Sequence, residues 1–534
     1  MTDGAATARD FADTGDELGD EAVSSVFAAA RHVRPVIEVR AGEIHLMATE
    51  AESALLTANA PLFVRGGLVR PIVDVMPAAN GRRAKVARLA EVDGDCLIDH
   101  LSRSADWVKF NARKRATVST DPPRNVAMTI LARDGEWRFR KLSGVITTQT
   151  LRPDGTVLAD PGYDDRTQLL LLEPPTMPII AARPSRADAL AGLALLDRLL
   201  DEFPFVDGAS RSVALSALIT PVVRGAVSVA PMHTSSAPVA GSGKSYVIDL
   251  ASAISTGERA PVIAAGRTEE ETEKRLGAAL LNGQSIISID NVNGELGGDM
   301  LCQMIERPIV AIRPLGSSKL IKIESRATVF STGNNIRLVG DMTRRVILCS
   351  LDPNMERPEL RQFAARPFDM VVADRGKYIA AALTICRAYA VADFPGELAP
   401  LASFEDWSRI VRSALVWLGR PDPVHTMEAA RAEDPVTSSL RSVYQAWYEA
   451  VGSTRYTSGK IREVSEEKNP FGNSTHGDLH RALCEAADDR RGGIDSRQLG
   501  KWLGCHKGRV VDGLKLEAHE NPKLKQKEWS VVRV

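Results

Sequence analysis

The stretch Pro238-Val239-Ala240-Gly241-Ser242-Gly243-Lys244-Ser245 constrains this chain more than any other. It follows the apolar run Ala226-Val227-Ser228-Val229-Ala230 and leads into Tyr246-Val247-Ile248-Asp249-Leu250-Ala251, which predicts strand, glycine-bearing loop and helix in succession. In such a loop, backbone N–H groups and the helix N-terminus converge on a polyphosphate. Lys244 then reaches the β/γ-phosphates, and the Ser245 hydroxyl ligates Mg²⁺. The usual pattern opens on Gly, four residues before Gly-Lys-Ser/Thr; here Pro238 stands in that first position. A Gly/Ser turn that happens to precede a lysine gives the same string, so the rest of the chain has to decide.

At 534 residues, two to four domains are expected. A net charge of −1 confines any nucleic-acid contact to local patches. No run of 18 apolar residues occurs, so no membrane-spanning helix and no membrane partner are expected. Residues 1–30 read as a disordered acidic tail: Asp3, Asp10, Asp13, Asp16, Glu17, Asp20 and Glu21 stand against Arg9, with no apolar core of a signal peptide. The six cysteines include no C-x-x-C pair, which fits small buried hydrophobes in a reducing cytoplasm.

Residues 31–182 mix short β-like runs with turns and helical stretches, an α+β domain whose role stays open. Glu43 to Met47 reads as strand, Thr49 to Thr57 as helix and Asp95 to Arg113 as helix. Asp93-Gly94-Asp95 offers two carboxylates to a polymerase metal, but a surface turn gives the same triplet. Between 183 and 430, helices at Ala187–Leu200 and Ser210–Val223 precede the phosphate loop. Strands at Pro261–Ala265, Ser285–Asp290 and Thr328–Thr332 alternate with helices after it. That alternation predicts a parallel sheet with functional residues at the strand ends. Met370–Tyr389 and Phe404–Leu418 read as helices, and residues 431–452 as a helical linker.

Asp290, after the apolar run Ile286–Ile289, lies where an ATPase holds Mg²⁺ through water. The next residue is Asn291, where many ATPases carry a glutamate that orients the attacking water. Glu295, Glu271 or Glu273 would have to supply a carboxylate if one is needed. Asn334, after the next strand, is either a γ-phosphate sensor or one of a turn-forming Asn-Asn pair. Arg344 and Arg345 are either transition-state arginines supplied to a neighbouring subunit or a solvated face. Between them and Asp290, Val310–Ile323 reads as a hairpin carrying Arg313, Lys319 and Lys322. Those cations suit the phosphates of a strand passing through a ring, and they equally suit an ordinary surface hairpin.

Taken in order, Pro238–Ser245, Ile289-Asp290-Asn291, the basic hairpin, Ser331-Thr332-Gly333-Asn334-Asn335 and Arg344-Arg345 resemble a superfamily 3 helicase, as found in phage and prophage primase–helicases. Phe203-Pro204-Phe205-Val206, Leu218-Ile219-Thr220-Pro221, Glu306-Arg307-Pro308, Asp352-Pro353, Trp137-Arg138-Phe139 and Pro161-Gly162-Tyr163-Asp164 add to the likeness, which spans about residues 130–430. The resemblance implies an AAA+ core within an α/β chain, ATP and Mg²⁺ as cofactors, a hexameric ring, possible replication-protein partners and translocation on single-stranded DNA. Pro238 and Asn291 depart from the family pattern.

Residues 453–534 read as a winged helix: helices at Gly477–Asp488 and Ile494–Leu503, a third at Lys507–Gly513, then two paired strands. From Arg497 onward nine Lys/Arg face four Asp/Glu, an electrostatic footprint for duplex DNA. Lys507 and Arg509 are placed in the major groove, and the wing residues Lys523, Lys525 and Lys527 on the backbone. Winged helices also dock proteins. Three functions remain open: a helicase or replication initiator of a phage, prophage or mobile element; an ATP-gated DNA-binding regulator that does not unwind; and a primase–helicase.

Overall fold

A computed structural model describes residues 23, 26, 27, 33–77, 83–266, 268–314, 319–432, 434–469, 471, 474–487, 493–521 and 526–534. The chain divides into two compact units: residues 1–336 with 345–426, and residues 427–534 with 337–344. Most of the acidic tail lies outside the described residues. The part that is described contradicts a tail reaching residue 30: Val23, Val26 and Phe27 pack onto a core that contains Phe63 and Val69.

In the N-terminal region, Val36–Glu38 pairs in parallel with Asp106–Asn111, which pairs antiparallel with Ala116–Ser119. Helices Ile44–Thr57, Gly94–Ser104 and Arg124–Ala132 enclose Trp107 with Leu55, Leu97, Leu101 and Ile130. Two expectations fail here. The stretch from Ile44 to Met47 opens a helix rather than a strand, because its apolar spacing continues through Ala48 and Ala51. The helix expected to reach Arg113 stops at Ser104, since Trp107-Val108-Lys109-Phe110 is β-favouring once two partner strands are present. The Asp93-x-Asp95 pair is structurally occupied: Asp93 caps the helix by accepting from the Cys96 N–H at 2.8 Å, and Asp95 pairs with Arg124.

The α/β core follows. Helices α1 (Arg186–Arg198) and α2 (Gly208–Ile219) lead to strand β1 (Met232–Ala237) and α3 (Lys244–Thr256). Next come β2 (Val262–Ala264), α4 (Glu269–Leu281), β3 (Ile286–Leu296) and α5 (Asp299–Glu306). The hairpin strands β4 (Ile309–Ile312) and β5 (Ile321–Glu324) precede β6 (Thr328–Leu338) and β7 (Val346–Ser350). The sheet order is β2-β3-β6-β1-β7; β1 runs parallel to both β6 and β7, and β2 parallel to β3. The phosphate-loop strand is therefore not the apolar run 226–230 but the polar-looking Met232-His233-Thr234-Ser235-Ser236-Ala237, all buried. Several of its polar groups have internal partners: Thr234 Oγ1 meets Ser331 Oγ at 2.7 Å, His233 Nε2 meets Ser216 Oγ at 3.0 Å, and Ser236 Oγ accepts from the Ile336 N–H at 3.3 Å.

Helix α4 opens on Thr268, whose side chain accepts from the Glu271 N–H, with three glutamates in the first turn. The Arg65 guanidinium donates to the Leu280 and Leu281 carbonyls at the other end, 2.9 and 3.3 Å away, tying the N-terminal region to the core. Helices α6 (Pro367–Ala373) and α7 (Arg375–Val391) replace the single helix expected at 370–389. The run at 404–418 is helical with a π turn at Ser408–Arg412.

In the second unit, α8 (Pro435–Val451), α9 (Ser458–Ser465), α10 (Gly477–Ala486) and α11 (Ser496–His506) surround a core with strands β8 (Val510–Val511), β9 (Leu514–Asn521) and β10 (Gln526–Arg533). The helix expected to be a linker contributes Leu440, Val443, Tyr444 and Trp447 to that core, beside Leu499, Leu516 and Trp529. The helix expected at 507–513 does not form. Helix α11 ends at His506, Gly508 takes φ +80°, and Val510–Val511 pairs antiparallel with β9.

Candidate nucleotide site

The phosphate loop joins β1 to the N-terminus of α3. Within it, left-handed backbone occurs at Gly241 (φ +74°) and Gly243 (φ +95°), and a side chain at Gly241 would press within 3.1 Å of the Glu359 backbone N. Position 238 needs no such freedom, so proline fits it. Ser242 Oγ donates to the Val239 carbonyl at 2.6 Å, and Lys244 Nζ donates to the same oxygen at 2.8 Å. Burial lowers the Lys244 ammonium below its ordinary range, and Asp290 opposes that shift.

Asp290 comes to the loop along β3, in register with Ala264 of β2. Ser245 Oγ donates to Asp290 Oδ1 at 3.3 Å, and the Thr332 hydroxyl of β6 donates to the same oxygen. The Asn291 N–H in turn donates to Thr332 Oγ1 at 3.3 Å. Thr332, within Ser331-Thr332-Gly333-Asn334-Asn335, thus joins the candidate site. Both β3 and β6 run beyond their expected ends, passing through left-handed residues at Asn291 (φ +57°) and Asn335 (φ +47°). Asparagine tolerates that conformation better than glutamate, a physical reason for Asn where an acid was expected.

Asn334 sits beside Ala237, the residue just before the loop. Its Oδ1 is buried and has no hydrogen-bond partner among the described residues. Gly333 is sterically required, because a Cβ there would lie 2.1 Å from the Val292 carbonyl. On its other side the loop opens into a cleft of about 870 Å³ lined by Phe203, Tyr246, Arg259, Arg361, Phe363 and Phe368. Arg259 stacks over Phe368 at 4.4 Å, and Arg361 over Phe363 at 5.0 Å. Phe203 and Tyr246 fall within stretches quoted from the sequence, whereas Arg259, Arg361, Phe363 and Phe368 are spread over more than 100 residues of chain and fall in no motif.

Strands β4 and β5 form the expected hairpin, pairing Ile309–Ile312 with Ile321–Glu324. Arg313, Lys319 and Lys322 are exposed on it, and the turn at 315–318 lies outside the described residues. Arg345 is a correction: it is 5% exposed, and its Nε donates to Glu306 at 2.8 Å, so it serves the core rather than a neighbour's nucleotide. Arg344 lies in a 3₁₀ turn with its side chain 38% exposed, 3.3 Å from Asp341. Lys507 and Arg509 are exposed but follow α11 instead of riding on a helix. The exposed basic residues on α11 itself are Arg497 and Lys501. Lys523 and Lys525 lie outside the described residues, whereas Lys527 stands opposite Glu520 on the β9–β10 hairpin.

Among the described residues no helix is long and apolar enough to cross a membrane. No family model matches the chain, and no curated protein matches it. Among solved structures it is similar to the apo C-terminal region of NrS-1, at 10% identity over 86% of this chain and 97% of that one, with a TM-score of 0.35. A second structure of that region gives 10% identity, 86% and 96% coverage and a TM-score of 0.34. A JCV helicase with a bound thiazolopyridine acetamide gives 13% identity, 46% and 66% coverage and a TM-score of 0.22. Likenesses this distant do not assign a function.

Proposed function

We propose that the chain is an ATP-driven motor on DNA, a helicase or replication initiator of a phage, prophage or mobile element. One observation carries the reading: Lys244, Ser245, Asp290, Thr332 and Asn334 converge at one end of three adjacent strands, around a loop built on two left-handed glycines. The strand bearing Asn334 lies between the phosphate-loop strand and the strand bearing Asp290, which supports an AAA+ core. Mg²⁺-ATP would supply the reactive phosphoanhydride and the charge that Lys244 is built to meet. Ser245 and Asp290 fit Mg²⁺, an ion usually held by one or two side chains plus phosphate oxygens. Among the described residues no cluster of three His, Cys, Asp or Glu could hold a metal instead. Asn334, with its unpartnered amide oxygen beside the loop, is suited to reading the γ-phosphate and the attacking water.

Arg344 is the arginine of the pair left for a neighbouring subunit. The hairpin cations Arg313, Lys319 and Lys322 would track a single strand, and the C-terminal unit, read as a winged helix, would hold duplex through Arg497, Lys501, Lys507, Arg509 and Lys527. Lys244→Ala is expected to abolish an ATPase that single-stranded DNA stimulates. Equal hydrolysis with and without DNA sinks the motor reading. A second reading, an ATP-gated regulator that assembles on DNA without unwinding it, rests on the left-handed Asn291, which offers no carboxylate to activate water. Strand displacement on a forked substrate separates the two.

A further inference from the structure

The hairpin of the N-terminal region, Asp106–Asn111 with Ala116–Ser119, carries cations that the fold leaves without partners. Lys109, Arg113, Lys114 and Arg115 are all exposed, and no acidic residue occurs between Asp106 and Asp121. Most arginines near it have carboxylates: Arg34 pairs with Asp106 at 2.9 Å, Arg103 with Asp99 at 2.9 Å, and Arg124 with Asp95. None of the four hairpin cations forms an ion pair among the described residues. The tip is fixed rather than loose. Asn111 Oδ1 accepts from the Arg113 and Lys114 N–H groups at 3.0 and 3.1 Å, and Arg115 closes the turn at φ +48°. Beside this tip Phe110, opposite Thr117 in the ladder, is 61% exposed.

A fixed turn of three consecutive cations offers phosphate contacts at low ordering cost. An aromatic face one residue from the turn offers what single-stranded nucleic acid has and duplex hides, an unstacked base. We propose that this hairpin is a second contact for single-stranded nucleic acid, with Arg113, Lys114 and Arg115 on phosphates and Phe110 stacked on a base. It gives the N-terminal region a role within the motor reading, on which it rests, and it is remote in sequence from the phosphate loop and the β4–β5 hairpin.

The test is a salt titration of the full chain with a fluorescent oligothymidylate, read by anisotropy. Replacing Arg113, Lys114 and Arg115 together by Gln keeps the Asn111 contacts, which are to backbone N–H groups. Three lost contacts at about 0.7 each should make the slope of log K against log salt shallower by about 2, with affinity down roughly tenfold at moderate salt. DNA-independent ATP hydrolysis should not change. Phe110→Ser should weaken binding about fivefold or more and leave the slope intact, because stacking releases no counterions. A triple variant with the wild-type isotherm and slope overturns the assignment. So does binding that polyglutamate displaces as well as oligothymidylate does and that Phe110→Ser leaves unchanged, which would point to an acidic protein segment. Wild-type chain that binds no oligonucleotide removes this inference and the motor reading together. DNA-stimulated hydrolysis with an unaltered triple variant removes this inference alone.

Discussion

Gly333 has no room for a methyl group. The Val292 carbonyl lies where the Cβ would go, and Val292 follows Asp290 and Asn291 on the neighbouring strand. Gly333→Ala must push that strand away, costing about 1–3 kcal/mol of stability by overpacking. It should also cut ATP hydrolysis by up to ~100-fold, because small misplacements of a catalytic group are that costly. Wild-type turnover in a folded Gly333→Ala chain would show that the Asp290 strand end is not part of the site. The two adjacent arginines separate in the same way. Arg345→Met takes the guanidinium from the mostly buried Glu306 carboxylate, which Ser403 Oγ also contacts, and should cost about 3–5 kcal/mol in a denaturant melt. Arg344→Ala should leave the melt unchanged and lower hydrolysis only under conditions where subunits assemble.

Among the elements, β1 was the hardest to see. Residues 233–236 are polar, yet they form an interior strand of a parallel sheet, where strands are usually apolar throughout. Packing against β6 and α2 gives Thr234, Ser236 and the His233 Nε2 partners inside. Burial pushes the His233 pKa down to about 3. An unfolded histidine titrates near 6.5, so as pH falls below that value the unfolded chain takes up a proton that the folded chain refuses. Stability is therefore lost on acidification from about 6.5 toward 3, at about 1.4 kcal/mol per pH unit from this group. His233→Gln should show a fall in urea-unfolding stability between pH 7 and pH 5 that is smaller by roughly 2 kcal/mol. The strand–helix alternation, the β4–β5 hairpin and the loop at 238–245 were legible because each depends on nearby residues. The Thr332–Asp290 contact, the cleft arginines and the end of α11 at His506 depend on residues brought together from distant parts of the chain, and no local pattern encodes them.

The molecule as a whole contains two units with cores of their own. Trp447, Trp502 and Trp529 belong to the second, and Trp107, Trp137, Trp407 and Trp417 to the first. Independent cores predict unfolding in two steps rather than one. Leu516 is fully buried in the second core, so Leu516→Ala should lower one transition by about 2–5 kcal/mol and leave the other in place. A single transition that moves as a unit would show that the two cores are thermodynamically coupled.

Lys244 spends its ammonium on the Val239 carbonyl, across its own loop. The loop thus carries a built-in competitor, and on the proposed reading an entering nucleotide has to displace it. Only a ligand that brings negative charge to the lysine head recovers what that exchange gives up. A nucleoside monophosphate, whose phosphate falls short of it, leaves the competitor in place. The chain should therefore rank nucleotides by the length of their phosphate tail more steeply than by the identity of their base.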